Sequence, residues 1–124
     1  MTKIFNGTPH AINVIDNGTF DAAIRKHVTD NPNVVASIPS NGMLSAKVST
    51  VDADPINGIP VFEKAFTGVD PLPEGFDVYI VSAMYGSAAK AVGMDTSRMF
   101  TVADPVYSTD GKTIHGCKGI CPVI

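Results

Sequence analysis

Apolar positions along this chain cluster in short runs, alternating or unbroken, and nearly every run is closed by Gly, Pro, Asn or Asp. That pattern predicts many short strands with tight connections. The richest run is Phe76, Val78, Tyr79, Ile80 and Val81, a composition expected of a strand buried on both faces. Ser82 follows it, and a hydroxyl there can accept a hydrogen bond from an amide of the next turn. Residues 83–92 are small and helix-permissive, and Gly93 supplies a left-handed stop, so strand, N-cap and helix are predicted in succession. The N-terminus of such a helix carries unpaired N–H groups and a partial positive charge, and with Gly86 and Ser87 nearby a phosphate could approach closely. A purely structural strand-to-helix joint has the same sequence, so both readings stay open.

The remaining runs are organised around this junction. Residues 3–5 and 11–15 read as strands separated by the Asn6-Gly7-Thr8-Pro9-His10 turn. After Asn17-Gly18, residues 21–28 carry an apolar stripe of Ala22, Ala23, Ile24 and Val28 with Arg25, Lys26 and His27 on the other side, which predicts a short helix. Residues 34–38 and 43–51 read as two strands of one hairpin turned by Pro39 to Gly42. A turn-rich acidic stretch, 52–58, precedes another strand over 59–66, where Pro60 marks an edge or a strand start. Residues 68–75 form a loop. Beyond the helix, 99–103 is a strand broken by Asp104-Pro105, Val106-Tyr107 opens another, and Asp110-Gly111 turns a hairpin back through 113–117. With connections this short, the expectation is a single α+β domain of about six to eight short strands, mostly antiparallel, with one or two helices.

Composition adds constraints. At 124 residues the chain has room for one core, and its charged share of 17% is low for a globular surface, which predicts a homo-oligomer. A net charge of −3 argues against nucleic acid polymers, which need a basic stripe, but leaves room for a small anion held by a few cations. No stretch reaches the length of a membrane span and the N-terminus lacks a leader-like apolar run, so a cytosolic protein is expected. The two cysteines, Cys117 and Cys121, have a spacing that matches no zinc or redox motif and read as reduced thiols.

Catalytic chemistry is poorly advertised. His10 sits in a turn, His27 on a predicted helix surface and His115 in a strand, none with a placed partner. The chain has no G-x-S-x-G elbow, phosphate-binding P-loop or dinucleotide fingerprint, and its acids are scattered through loops, so neither catalytic residues nor metal ligands nor a cofactor are predicted. A binding site is better supported. The aromatics Phe76, Tyr79, Tyr85 and Tyr107 share the C-terminal half with Lys90, Arg98, Lys112 and Lys118, a mixture suited to stacking a base and meeting phosphate. Phe76 and Tyr79 read equally as core. Tyr85, beside the free helix amides, and Arg98, a bidentate cation after the helix, are the sharper candidates.

Three segments together, Phe5-Asn-Gly-Thr-Pro-His-Ala-Ile-Asn-Val14, Asp77-Val-Tyr-Ile-Val-Ser-Ala83 and the run from Asp104-Pro-Val-Tyr to Cys117, resemble the phage Thoeris anti-defence family of the first type. The resemblance spans nearly the whole chain. It implies a sponge that binds cyclic ADP-ribose, or cyclic di- and trinucleotides at separate sites, without cleavage. It also implies pockets built between subunits of a dimer-based or hexameric assembly in the host bacterial cytosol. Where that family carries an arginine after the C-terminal strand start, this chain has Tyr107, with Lys112 keeping a cation near. The predicted ligand-binding residues are therefore Ser82, Tyr85, Ser87, Arg98, Tyr107 and Lys112. Two other functions fit the sequence: a phosphodiesterase using His10 or His115 as base, and a phage structural or accessory protein.

Overall fold

The computed structural model describes residues 2–123. In chain order the elements are β1 (Ile4–Asn6), β2 (Ile12–Ile15), β3 (Thr19–Asp21), β4 (Lys26–Val28), β5 (Val34–Ile38), β6 (Ala46–Ile56), β7 (Ile59–Val69), β8 (Val78–Ile80), α1 (Ala83–Ala91), β9 (Met99–Tyr107) and β10 (Ile114–Pro122). Strands account for 50% of the chain and the single helix for 7%, so the expected α+β class is overturned by a mostly β fold. Eight strands form one sheet in the order β1-β8-β9-β10-β2-β5, with β4 joining β9 and β3 joining β4; β6 and β7 pair only with each other.

Pairing is mixed by strand pairs, although the longest ladders are antiparallel, as expected. β1 lies parallel to β8, β8 to β9, β10 to β2 and β4 to β9, against antiparallel pairs β9–β10, β2–β5, β3–β4 and β6–β7. The parallel partners come from far along the chain, as with Ile4 opposite Val78. Only β8–α1–β9 is a local crossover, with a helix long enough to return the chain to the same edge.

The sheet curls until its outer strands nearly meet, giving a barrel-like form. Asn6, fully buried at the end of β1, holds this seam. Its side-chain amide donates to the carbonyl oxygens of His10 and Ile38, each at 3.0 Å, and its oxygen accepts from the Thr8 N–H at 3.0 Å. A buried amide is tolerated because its polar atoms are matched in this way. One apolar cluster, Ile12, Ile80 and Cys117 with Ile4 and Ile38, draws on both sheet edges and its middle. Burial raises the thiol pKa of Cys117, which the Gly119 N–H partly offsets. A second cluster lies between sheet and helix, where Phe5, Tyr79, Val81 and Met99 pack against Tyr85 and Ala89.

Three predicted elements fold otherwise. Residues 21–28 are not helical: Asp21 accepts from the Ala23 N–H at 2.9 Å in a tight turn, Arg25 adopts φ 55°, and β3 pairs antiparallel with β4. Tertiary burial overrides the weak stripe, since Val28 is buried on β9 while Ala22, Ala23 and Ile24 are exposed. The predicted hairpin of 34–38 with 43–51 does not form. β5 pairs with β2 instead, and the segment between β5 and β6 is tied to the first turn by Asn41 N–H to Asn6 O and Leu44 N–H to Gly7 O, each 2.9 Å. Finally, Asp104-Pro105 kinks rather than breaks its strand: Asp104 takes φ 52° and β9 continues, with Pro105 opposite Cys117. Among the described residues, no helix is long and apolar enough to cross a membrane.

Candidate ligand-binding site

The predicted junction is present. β8 is buried, Ser82 adopts an extended N-cap conformation, and its hydroxyl accepts from the Tyr85 N–H at 3.1 Å. The first helical hydrogen bond, Gly86 N–H to Ser82 O at 3.0 Å, leaves the Ala83 and Met84 amides ahead of the ladder. At the other end Gly93 adopts φ 83° and Lys90 occupies the last turn, matching charge to the helix dipole. No acidic residue lies in the first turn, so the field at this end remains favourable for an anion.

Beside this end is a groove of about 200 Å³ lined by Ala83, Ser87, Thr101, Cys121, Pro122 and Val123. Ala83 and Ser87 share a helix face four residues apart, while Thr101 and Cys121 are opposite one another on β9 and β10, their Oγ1 and Sγ atoms 3.4 Å apart. The floor is therefore made by the β9–β10 ladder and the wall by α1. Its lining offers hydroxyl and thiol groups without an imidazole or carboxylate. Among the described residues, no three His, Cys, Asp or Glu side chains are grouped to hold a metal.

The six predicted ligand residues separate into distinct places. Ser82 and Ser87 are exposed at the helix N-terminal end. Tyr85, on the same turn, is 0% exposed and its hydroxyl donates to the Asp70 carbonyl, so its ring belongs to the core and not to an open stacking surface. Its pKa is raised by that burial, with Asp70 adding to the effect. Arg98 donates to the Phe76 carbonyl at 3.0 Å with its guanidinium 5.4 Å from the Tyr79 ring centre, at the start of β8 and β9. Tyr107 lies at the far end of β9, up to about 30 Å from Arg98 at strand rise, and Lys112 is exposed in the turn beyond it.

The Tyr107 end forms its own cluster. The Lys26 ammonium sits 4.4 Å from the Tyr107 ring centre and donates to the Gly111 carbonyl at 2.8 Å. Asp30 accepts from the Thr109 N–H at 3.1 Å and the Thr109 hydroxyl at 2.8 Å, and these bonds hold its carboxyl below the ordinary aspartate value of 3.8. Asp110, lowered chiefly by the Ser108 hydroxyl, organises the turn through the Lys112 and Thr113 amides. His115 has a buried Nε2 without a hydrogen-bond partner. Lys26, missed from the sequence, and Lys118, one of the cations expected to meet phosphate, are already bound to backbone oxygens of Gly111 and Asn17.

Thr101 and Cys121 were also missed, because their juxtaposition depends on strand register. Counting outward from the Asp110-Gly111 turn matches Ile114 with Tyr107, as observed, and would match Ile120 with Thr101. The irregularity between Ile114 and Gly116 shifts the ladder by one residue and brings Cys121 to Thr101. Comparison with protein-family models, with curated proteins and with solved structures finds no match for this chain.

Proposed function

We propose that this protein binds a cyclic nucleotide signal of the cyclic ADP-ribose or cyclic di- or trinucleotide type and sequesters it uncleaved, as a homo-oligomer. The observation that carries this reading is the groove beside the N-terminal end of α1, lined in part by Ala83, Ser87 and Thr101, at a helix end that has two unladdered amides and no acidic residue in its first turn. A phosphate of the ligand would meet those amides and hydroxyls. At about 200 Å³ the groove is smaller than the roughly 300–1,000 Å³ of ordinary ligand pockets, so a second wall from another protomer completes it. Such a wall could bring Arg98 or the Tyr107–Lys112 end of a neighbour to residues that one chain keeps apart. The three-segment resemblance to the Thoeris anti-defence family supports the physiological part: a phage protein acting in the host cytosol by removing an immune messenger.

Calorimetry with cyclic ADP-ribose isomers and cyclic di- and trinucleotides tests it. Micromolar or tighter binding is expected to at least one of them. Ser87→Glu, which places a like charge and added bulk in the groove, should weaken that binding by more than about tenfold, equivalent to about 1.4 kcal/mol, while the thermal transition stays in place. Nucleotide recovered after heat denaturation should be intact. Absence of binding to every compound overturns the reading, and recovery of a hydrolysed nucleotide converts it to the phosphodiesterase alternative.

A further inference from the structure

β6 and β7, at 11 residues each, are the longest strands in the chain and yet belong to no larger sheet. A two-stranded ribbon is at best marginally stable in water unless something covers it. Only its base is covered, where Ala46 and Val69 pack beside the helix-side core. Outward from there the ribbon exposes Val48, Val51, Ile56, Ile59 and Phe62, with Ile56, Ile59 and Phe62 each at 60% or more. Five large apolar side chains on one projection exceed the scattered apolar exposure that a surface normally carries.

The register sorts these side chains. Val48 is opposite Phe66, Thr50 opposite Lys64 and Asp52 opposite Phe62, and strand alternation places all six on the face that continues outward from Ala46 and Val69. At the base this face runs into an apolar groove of about 390 Å³ whose walls include Phe66, Val69, Pro71, Val92 and Met94. Near the tip this face carries Pro60 and Phe62, while the same alternation puts Val51, Ile56 and Ile59 on the opposite face. Phe62 and the groove thus sit towards opposite ends of one face. Two copies laid face to face and antiparallel would put each tip over the other's basal groove, the isologous arrangement of a two-fold dimer.

Charge follows the same symmetry. Lys64 and Asp52 occupy adjacent rungs near the middle of the face, and the two-fold brings Lys64 of one copy beside Asp52 of the other. One face of a ribbon this long, with its groove, offers on the order of 600 Å², comparable to the about 800 Å² per partner of a standard interface. The need for cover is permanent, because an uncovered ribbon has little stability of its own. A second copy is the partner present wherever the chain is made.

We infer that the β6–β7 arm is the self-association element of this protein, exchanging reciprocally so that each arm tip fills the groove between the neighbour's arm base and α1. The inference rests on the oligomeric part of the proposed function and is independent of the ligand. It also places a neighbouring chain against the C-terminal end of α1, whose other end borders the ligand groove.

Sedimentation and light scattering across a concentration series test it. Wild-type protein should be an even-numbered oligomer at micromolar concentration, and Phe62→Glu should raise the dissociation constant by at least a hundredfold with an unchanged circular dichroism spectrum. Lys64→Asp alone should weaken association by about tenfold, and adding Asp52→Lys to it should restore most of the loss. A wild-type chain that stays monomeric overturns the oligomer itself. An oligomer that Phe62→Glu leaves intact overturns the arm as its basis, and failure of the charge exchange to rescue overturns the two-fold register.

Discussion

The curled sheet with its helix and the two-stranded arm are built from the same kinds of residues, and they differ in what covers them. In the body, a strand as short as β8 is three residues long but has apolar neighbours on both faces and hydrogen-bonded strands on both edges. In the arm, strands of 11 residues satisfy their backbones against each other and leave large side chains such as Phe62 in solvent. Hydrogen-bond length therefore says little about where stability resides. Burial of apolar area on two sides does, at about 25 cal/mol per Å² removed from water.

The sharpest way to break this contrast is to truncate one aromatic in each region. Tyr85→Ala empties a fully buried site between α1 and the sheet and removes the hydroxyl that caps the Asp70 carbonyl. It should cost about 3–5 kcal/mol of unfolding free energy, read from urea denaturation. Phe62→Ala, measured in protein dilute enough to be monomeric, should change stability by no more than about 0.5 kcal/mol. Equal losses at the two sites would show that the arm is as well covered as the body.

A smaller effect is expected at the seam of the sheet. Asn6→Ala strips partners from the Ile38 and His10 carbonyls and the Thr8 N–H, for a loss of about 1–3 kcal/mol. Hydrogen exchange should accelerate most at the amides of β2 and β5, whose free edge that side chain ties down, while amides of the arm keep their wild-type rates. Uniform acceleration throughout the chain would mean that Asn6 stabilises the fold globally and holds no local seam.

The smallest effect is acid-dependent. Asp30 has a folded pKa below its unfolded value because Thr109 donates to it, so its contribution is fully present above the unfolded value and is lost as pH falls through the lower folded one. Asp30→Ala should therefore be less stable than the wild type at pH 7, and the difference should shrink below about pH 4. Thermal melts of both proteins from pH 7 to pH 2.5 measure this. A difference that does not change with pH would assign the contact to packing alone.

Much of the site's scaffold was legible because it is local. Ser82 as cap, the helix that follows, Gly93 at positive φ and the Asp110-Gly111 turn depend on groups within a few residues of one another. The same local reasoning misplaced residues 21–28. A stripe of Ala22, Ala23 and Ile24 is a weak helix signal, and pairing of β4 with β9 buries Val28 more effectively than a helix exposing those residues would. It also treated Tyr85 as a surface aromatic from its place in the first turn, although the turn angle at that position points into the core formed by Phe5, Tyr79 and Met99.

The sequence by itself determined where strands and the one surviving helix begin and end around residue 82, because caps, glycines and apolar runs act through bonds and contacts a few residues long. Only the tertiary structure decided which strands are neighbours. Pairs such as Ile4 with Val78 and Cys117 with Val14 join distant, similarly apolar segments that are locally interchangeable as partners. Close approach selects among them: at Gly116 a Cβ would lie 2.2 Å from the Asn13 carbonyl oxygen, so this contact of β10 with β2 requires glycine. The one-residue shift beside it then sets which side chains face α1. That shift, invisible to counting from the turn, is what assembles Thr101, Cys121 and Ser87 into a groove.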